Sequence, residues 1–133
     1  MSLLGNSTNL SDAYDHTYDT REIKRGEIYY IDLENVDYAS SHVALGKFRP
    51  CLVLSNDIGN TKSDVVTVAL ITSKEKRDYK FQYKFTLNGT KSIVMMEQIL
   101  SVDQWRLKEK VGELTCQQMK DAENALMYEL GLN

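Results

Sequence analysis

Phe81-Gln82-Tyr83-Lys84-Phe85-Thr86-Leu87 alternates apolar or aromatic with polar side chains, and the next two residues are Asn88-Gly89. Period-two alternation is the pattern of a strand with one buried and one wet face. Asn-Gly is the pair that best tolerates the two positive φ angles of a tight hairpin turn. Ser92-Ile93-Val94-Met95-Met96 then returns antiparallel. Parallel βαβ units need long crossovers instead, so this hairpin turns the chain toward an antiparallel sheet.

Three further runs read as strands. Gly26-Glu27-Ile28-Tyr29-Tyr30-Ile31-Asp32-Leu33 is rich in β-branched and aromatic residues, and Arg49-Pro50-Cys51-Leu52-Val53-Leu54-Ser55 is mostly apolar. Val65-Val66-Thr67-Val68-Ala69-Leu70-Ile71 is the strongest strand signal and predicts a central strand ending at Thr72-Ser73. Glu34 to Lys47 is a long polar connection, of the kind that often carries function in small domains. Asn56-Asp57-Ile58-Gly59-Asn60 is a cluster of turn-forming residues. Asp103 to Arg106 suits a short helical turn. Thr115-Cys116-Gln117-Gln118 caps a helix that places Met119, Ala122, Leu126 and Leu130 near one face, with Gly131 as its stop. The fold class is mainly β with short helices: a small, strongly bent antiparallel sheet or barrel with a C-terminal helix.

A chain of 133 residues is a single-domain length. Residues 1–22, rich in Ser, Asn, Asp and Thr without amphipathic period, read as an N-terminal extension, partly non-native or flexible; residues 23–133 read as the domain. No apolar run approaches the ~20 residues of a membrane span, and the first residues lack a secretory pattern, so a soluble cytoplasmic protein is expected. Cys51 and Cys116 have no metal-ligand spacing and read as reduced and structural. His16 and His42 are the only histidines, so a zinc site or a two-histidine ribonuclease centre needs both; no metal is expected. The net charge of −3 is unevenly spread, with balances of −3 over 1–23, +3 over 24–91 and −3 over 92–133. The middle can face a phosphate chain, though a solvated mixed surface explains the charge equally well.

No glycine-rich phosphate loop, nucleophile elbow or metal-binding cluster is present. What the chain does carry is an ordered set of segments. Lys24-Arg25-Gly26-Glu27-Ile28-Tyr29 resembles the opening strand of MazF/PemK-type toxins, and Arg49-Pro50 their arginine-proline pair. Leu54-Ser55-Asn56-Asp57-Ile58-Gly59-Asn60, Ile71-Thr72-Ser73, Glu97-Gln98-Ile99, Arg106-Leu107 and Gly112-Glu113-Leu114 follow in that family's order. The match covers roughly Lys24 to Leu132. The resemblance implies an SH3-like barrel, a homodimer, a cognate antitoxin, DNA binding by the toxin–antitoxin complex, and cofactor-free, metal-independent cleavage of single-stranded mRNA. It places the catalytic arginine at Arg49 and the catalytic threonine at Thr72, with Ser73 the hydroxyl that follows. Glu97 aligns with an acidic residue that in some relatives lies at the site, where it positions the arginine or acts as a base, and Gln98 beside it is a candidate RNA contact.

These residue types suit the chemistry on physical grounds. A 2′-hydroxyl attacking its own adjacent phosphate is already held beside the reacting atom, so the protein must orient the phosphate and stabilise growing negative charge. A guanidinium is a rigid, always-charged fork for two phosphate oxygens, and hydroxyls or backbone N–H groups bind the others. With a pKa above about 12, Arg49 suits charge stabilisation better than proton donation. Without the resemblance, Arg49 reads first as an ordinary arginine opening a strand, Thr72 and Ser73 as strand-end residues bonding local backbone, and Glu97 as a solvated acid.

Lys24, Arg25, Lys47, Lys74, Lys76 and Arg77 are candidate RNA-backbone contacts, and Tyr29, Tyr38 or Phe48 could stack an unpaired base. His42 lies in the Glu34–Lys47 loop, which departs most from the family pattern, and could supply a proton near neutrality. Met95 and Leu100 stand where relatives carry arginine, which removes positive charge. Two other functions fit the same fold: a gyrase-binding toxin of CcdB type, disfavoured because the chain ends without that group's tryptophan, and a non-catalytic SH3-like interaction module.

Overall fold

The computed structural model describes residues 21–34, 36, 48–74 and 78–132. In chain order these form β1 (Glu27–Asp32), β2 (Phe48–Val53), α1 (Asp57–Lys62), β3 (Val65–Thr72), β4 (Gln82–Leu87), β5 (Thr90–Asp103), a 3-10 turn (Gln104–Arg106), β6 (Leu107–Glu113) and α2 (Cys116–Leu130). One antiparallel sheet contains all six strands in the order β4-β5-β3-β2-β1-β6. The predicted hairpin is there: Leu87 pairs with Thr90, and Asn88 (φ 49°) and Gly89 (φ 84°) take the two left-handed positions between them.

The sheet curls into a half-barrel. Its edge strands approach at one end, where the Asn88 side-chain amide donates to the Val111 carbonyl of β6 at 3.0 Å. The approach is close there, since a Cβ on Gly112 would meet Leu87 Cδ1 at 3.1 Å. Side chains therefore span the gap between β4 and β6 that no strand ladder closes.

Both faces of the sheet's middle are buried, which is why Val68–Ile71 is a continuous apolar run. One face gathers Tyr29, Ile31, Cys51, Val53, Val68, Leu70, Ile93 and Met95. The other gathers Ile28, Leu52, Ala69, Ile71, Val94 and Met96 with Ala122 and Ala125 of α2. A full capping box, Thr115 with Gln118, starts α2, and Gly131 (φ 71°) ends it.

Several expectations need correction. Asn56–Asn60 is not a bare turn. The Asn56 side chain accepts from Gly59 N–H at 2.8 Å and caps α1, because the hydrogen bond that closes an Asx turn also starts a helix. The return strand continues beyond Met96 to Asp103, through a bulge. Leu70 faces Met95 while Ala69 faces Ile99, leaving Met96–Gln98 without partners on β3. Strand β6 is additional. Leu130 is exposed, so the packed face of α2 is Met119, Ala122, Ala125 and Leu126. Cys51 is buried, and burial pushes its thiol pKa up to about 12, but Cys116 is exposed on the first turn of α2 and packs into no core. Among the described residues, no helix is long and apolar enough to cross a membrane.

Candidate functional site

Pro50 explains how a cleft opens in the middle of a sheet. Strand β2 pairs with β3 only over Cys51–Val53, although β2 starts at Phe48 and β3 runs on to Thr72. Proline has no N–H for a ladder, so pairing lapses at the arginine-proline pair and the strand ends part. Extending the register of Cys51 opposite Leu70 by two residues sets Arg49 level with Thr72. Pleat parity puts both side chains on the same face of the sheet.

A cleft of about 420 Å³ opens at these strand ends; Arg49 and Thr72 line it together with Tyr30, Phe48 and Ser92, which the same parity puts on the other face, and with Ser73, Lys74 and Asn88 among others. No hydrogen bond or ion pair among the described residues engages the Arg49 guanidinium. Thr72 is 4% exposed, and its Oγ1 accepts from the Lys74 N–H at 3.2 Å. Accepting that bond leaves its O–H free to donate. Ser73 is exposed, and Phe48, 57% exposed, offers a ring at the rim.

Other sequence candidates fall elsewhere. Arg25 pairs with Glu123 of α2 at 2.8 Å, and Lys24 lies near Glu22 at 3.8 Å; neither lines the cleft. Tyr29 is buried and donates to Glu27, with its hydroxyl pKa raised to about 12 by burial and by that bond, so it is a core residue and not a base-stacking platform. Glu97 stands on the β5 bulge and accepts from the Gln82 amide at 2.6 Å, so it holds Gln82 and not Arg49. Gln98 is half-buried on the same bulge, and its Oε1, like that of Gln82, is a buried acceptor without a partner. Met95 is buried, and Leu100 packs against the same core cluster. Tyr38, His42, Lys47, Lys76 and Arg77 lie outside the described residues. Among the described residues no group of three His, Cys, Asp or Glu is placed to hold a metal.

The structure also brings in residues that sequence reasoning passed over. Tyr30 and Asn88 line the same cleft, and Lys84 and Lys91 line a second one beside it. Lys84 is the wet position of the alternating strand, so pattern alone marks it only as solvent-facing; register shows what it faces.

Residues 24–130 match the family model of PemK-like, MazF-like toxins of type II toxin–antitoxin systems. The chain belongs to this family. It is 34% identical over 119 residues to an endoribonuclease MazF of Staphylococcus saprophyticus, spanning 84% of this chain and 93% of that one. Membership makes it a toxin of a type II toxin–antitoxin system and an endoribonuclease, in place of the gyrase-binding and non-catalytic alternatives. Solved structures carry the fold. A mycobacterial endoribonuclease, determined in complex with its cognate antitoxin, superposes with a TM-score of 0.68 at 22% identity over 84% of this chain and 97% of that one. Deinococcus radiodurans MazF gives 0.67 at 21% identity over 84% and 98%. This MazF-like chain shares their fold over most of its length.

Proposed function

We propose that the chain cuts single-stranded mRNA in the Arg49–Thr72 cleft, without a metal, by attack of an RNA 2′-hydroxyl on the adjacent phosphorus. The observation that carries this reading is Arg49 level with Thr72 across an opened strand pair, with no described carboxylate neutralising its charge. In the reaction the 2′-oxygen bonds to phosphorus as the bond to the 5′-oxygen breaks. The 2′-hydroxyl loses its proton to solvent or a base, and the departing 5′-oxygen gains one. Products are a 2′,3′-cyclic phosphate and a 5′-hydroxyl end. The Arg49 fork binds the two non-bridging oxygens as their charge grows, and the Thr72 O–H, fixed through Lys74 N–H, donates at the same phosphate. Ser73 completes the donor set, and Phe48 stacks a base at the rim.

A homodimer, inhibition by a cognate antitoxin that binds DNA with it, and action in the cytoplasm complete the reading. The mycobacterial endoribonuclease in complex with its cognate antitoxin supports the antitoxin partner. The test is incubation with diverse single-stranded RNAs in EDTA beside Arg49→Ala and Thr72→Ala. Cleavage by the parent and its loss in both variants is the expected result. Full cleavage in both variants rejects the site, and no cleavage by the parent rejects the reading.

A further inference from the structure

A second cleft of about 570 Å³ adjoins the first and shares Ser73, Lys74 and Ser92 with it. Among the described residues that line it, three are lysines, Lys74, Lys84 and Lys91, and none is acidic. Ser73 and Thr86 add hydroxyls. The ladder explains why these groups converge. Thr72 pairs with Ile93 and Ile93 with Lys84, while Lys91 pairs with Thr86 one step along the same face. Arg49, Thr72 and Lys84 therefore lie in one row across the sheet. Three inter-strand steps separate the ends of that row, a span of at least ~14 Å, because the step from Thr72 to Arg49 lies where the ladder has parted.

Resting on the endoribonuclease reading above, we propose that Lys74, Lys84 and Lys91 form a second phosphate-binding subsite, which carries the RNA backbone away from the cleavage point over the β4–β5 hairpin. The span corresponds to about two to four nucleotides, depending on how far the strand is stacked or extended. Lys84 has one described partner, the exposed carboxylate of Asp78 at 3.1 Å. A pair so exposed is screened and readily exchanged for a phosphate. Lysine suits the role because backbone holding needs point charges on flexible stems, whereas the reacting phosphate needs the fixed fork of Arg49. The observations favour RNA over an acidic peptide as occupant, because this track is continuous with the cleft that holds the scissile phosphate.

The test uses the full chain and a fluorescent single-stranded RNA carrying a cleavage site mapped on an mRNA digest, made uncleavable by a 2′-deoxy nucleotide at that site. Binding is measured against salt for the parent, for Lys84→Gln/Lys91→Gln, and for Lys62→Gln/Lys120→Gln, which removes equal charge outside both clefts. In the first double variant, log affinity against log salt should flatten by about 1.4, that is about 0.7 for each lost single-strand phosphate contact. The slope of the second should match the parent. With cleavable RNA, the loss should appear in KM and disappear once the RNA is shortened past the subsite on one side. An unchanged slope, equal flattening in both double variants, or a defect that survives trimming of either end overturns the subsite. A parent that binds but never cuts the unmodified RNA instead fails the underlying reading. Normal RNA binding with weakened capture of an acidic antitoxin peptide would reassign the lysines to a protein partner and overturn the proposal.

Discussion

The two flanks of the half-barrel use cations in opposite ways. On the β1–β6 flank they are met by the chain's own acceptors. Lys110 bridges Glu27 at 2.9 Å and Glu113 at 2.8 Å, and its pKa is raised chiefly by those two hydrogen bonds. Arg106 donates to the carbonyls of Asp32 and Glu34, and Arg21 to that of Lys108. On the rim formed by β2, β3, β5 and β4, Arg49, Lys74 and Lys91 meet no described carboxylate, and Lys84 meets only exposed Asp78. The first arrangement holds two strands together. The second leaves positive charge available to an anion from outside. Net charge could not reveal this division, because internally matched and open cations count alike.

Substitutions on the two flanks should separate activity from stability. The largest effect is expected at Arg49. Arg49→Ala should lower turnover on the order of 100- to 1,000-fold, the usual cost of one donor aimed at developing charge, with little change in Tm. Arg49→Lys, which keeps the charge and loses the fork, should remain clearly impaired in single-turnover cleavage. A large fall in Tm for either variant would mean that the rim is structural after all.

Thr72→Val is next, and it blurs the division on purpose. It removes both a donor and the acceptor of the Lys74 N–H, so cleavage should fall about 10- to 100-fold, with a measurable loss in urea midpoint as well. A loss of stability alone would reduce Thr72 to a strand-end residue.

The smallest effect is expected at Glu27. Burial raises its carboxyl pKa, but hydrogen bonds from Lys110, the Lys24 N–H and Tyr29 outweigh this and hold it below the ordinary 4.5. Its stabilising contribution is therefore fully present above about pH 4.5 and is lost as pH falls through the depressed folded value. Glu27→Gln should cost about 1 kcal/mol at pH 7, and the gap to the parent in chemical denaturation should close in that acid range, with cleavage at pH 7 unaffected. A gap that persists at low pH would remove the charged network as its cause.

How much of this was legible in the sequence depends on how local the signal was. The Asn88-Gly89 hairpin and the Thr115 cap are set by neighbours within four residues, and both stand where expected. Strand β6 was not legible. Lys108-Glu109-Lys110 breaks the alternation, and this edge strand is held by pairing with a segment some eighty residues earlier. Asn56 carries an ambiguous local signal, because turn and helix cap share one hydrogen bond. Resemblance singled out Arg49 and Thr72, and register supplies the physical reason they line one cleft: a proline that interrupts the ladder beside them. Lys84 and Lys91 stayed hidden because their proximity to Thr72 comes from pairing across three strands, not from spacing along one. Glu97 shows the reverse case, a position suggested by family pattern whose carboxylate is taken up by Gln82.

The most direct test of the chemistry is substitution of one atom in the substrate. A cleavable single-stranded RNA and its twin with a single 2′-deoxy nucleotide on the 5′ side of the scissile phosphate are incubated with the protein in EDTA. The RNA should be cut to fragments ending in a 2′,3′-cyclic phosphate and a 5′-hydroxyl, while the twin stays intact at that position. Cutting of the 2′-deoxy twin at the same bond would show that the 2′-hydroxyl is not the nucleophile, and would contradict a cleft whose task is to hold and neutralise a phosphate attacked by its own neighbour.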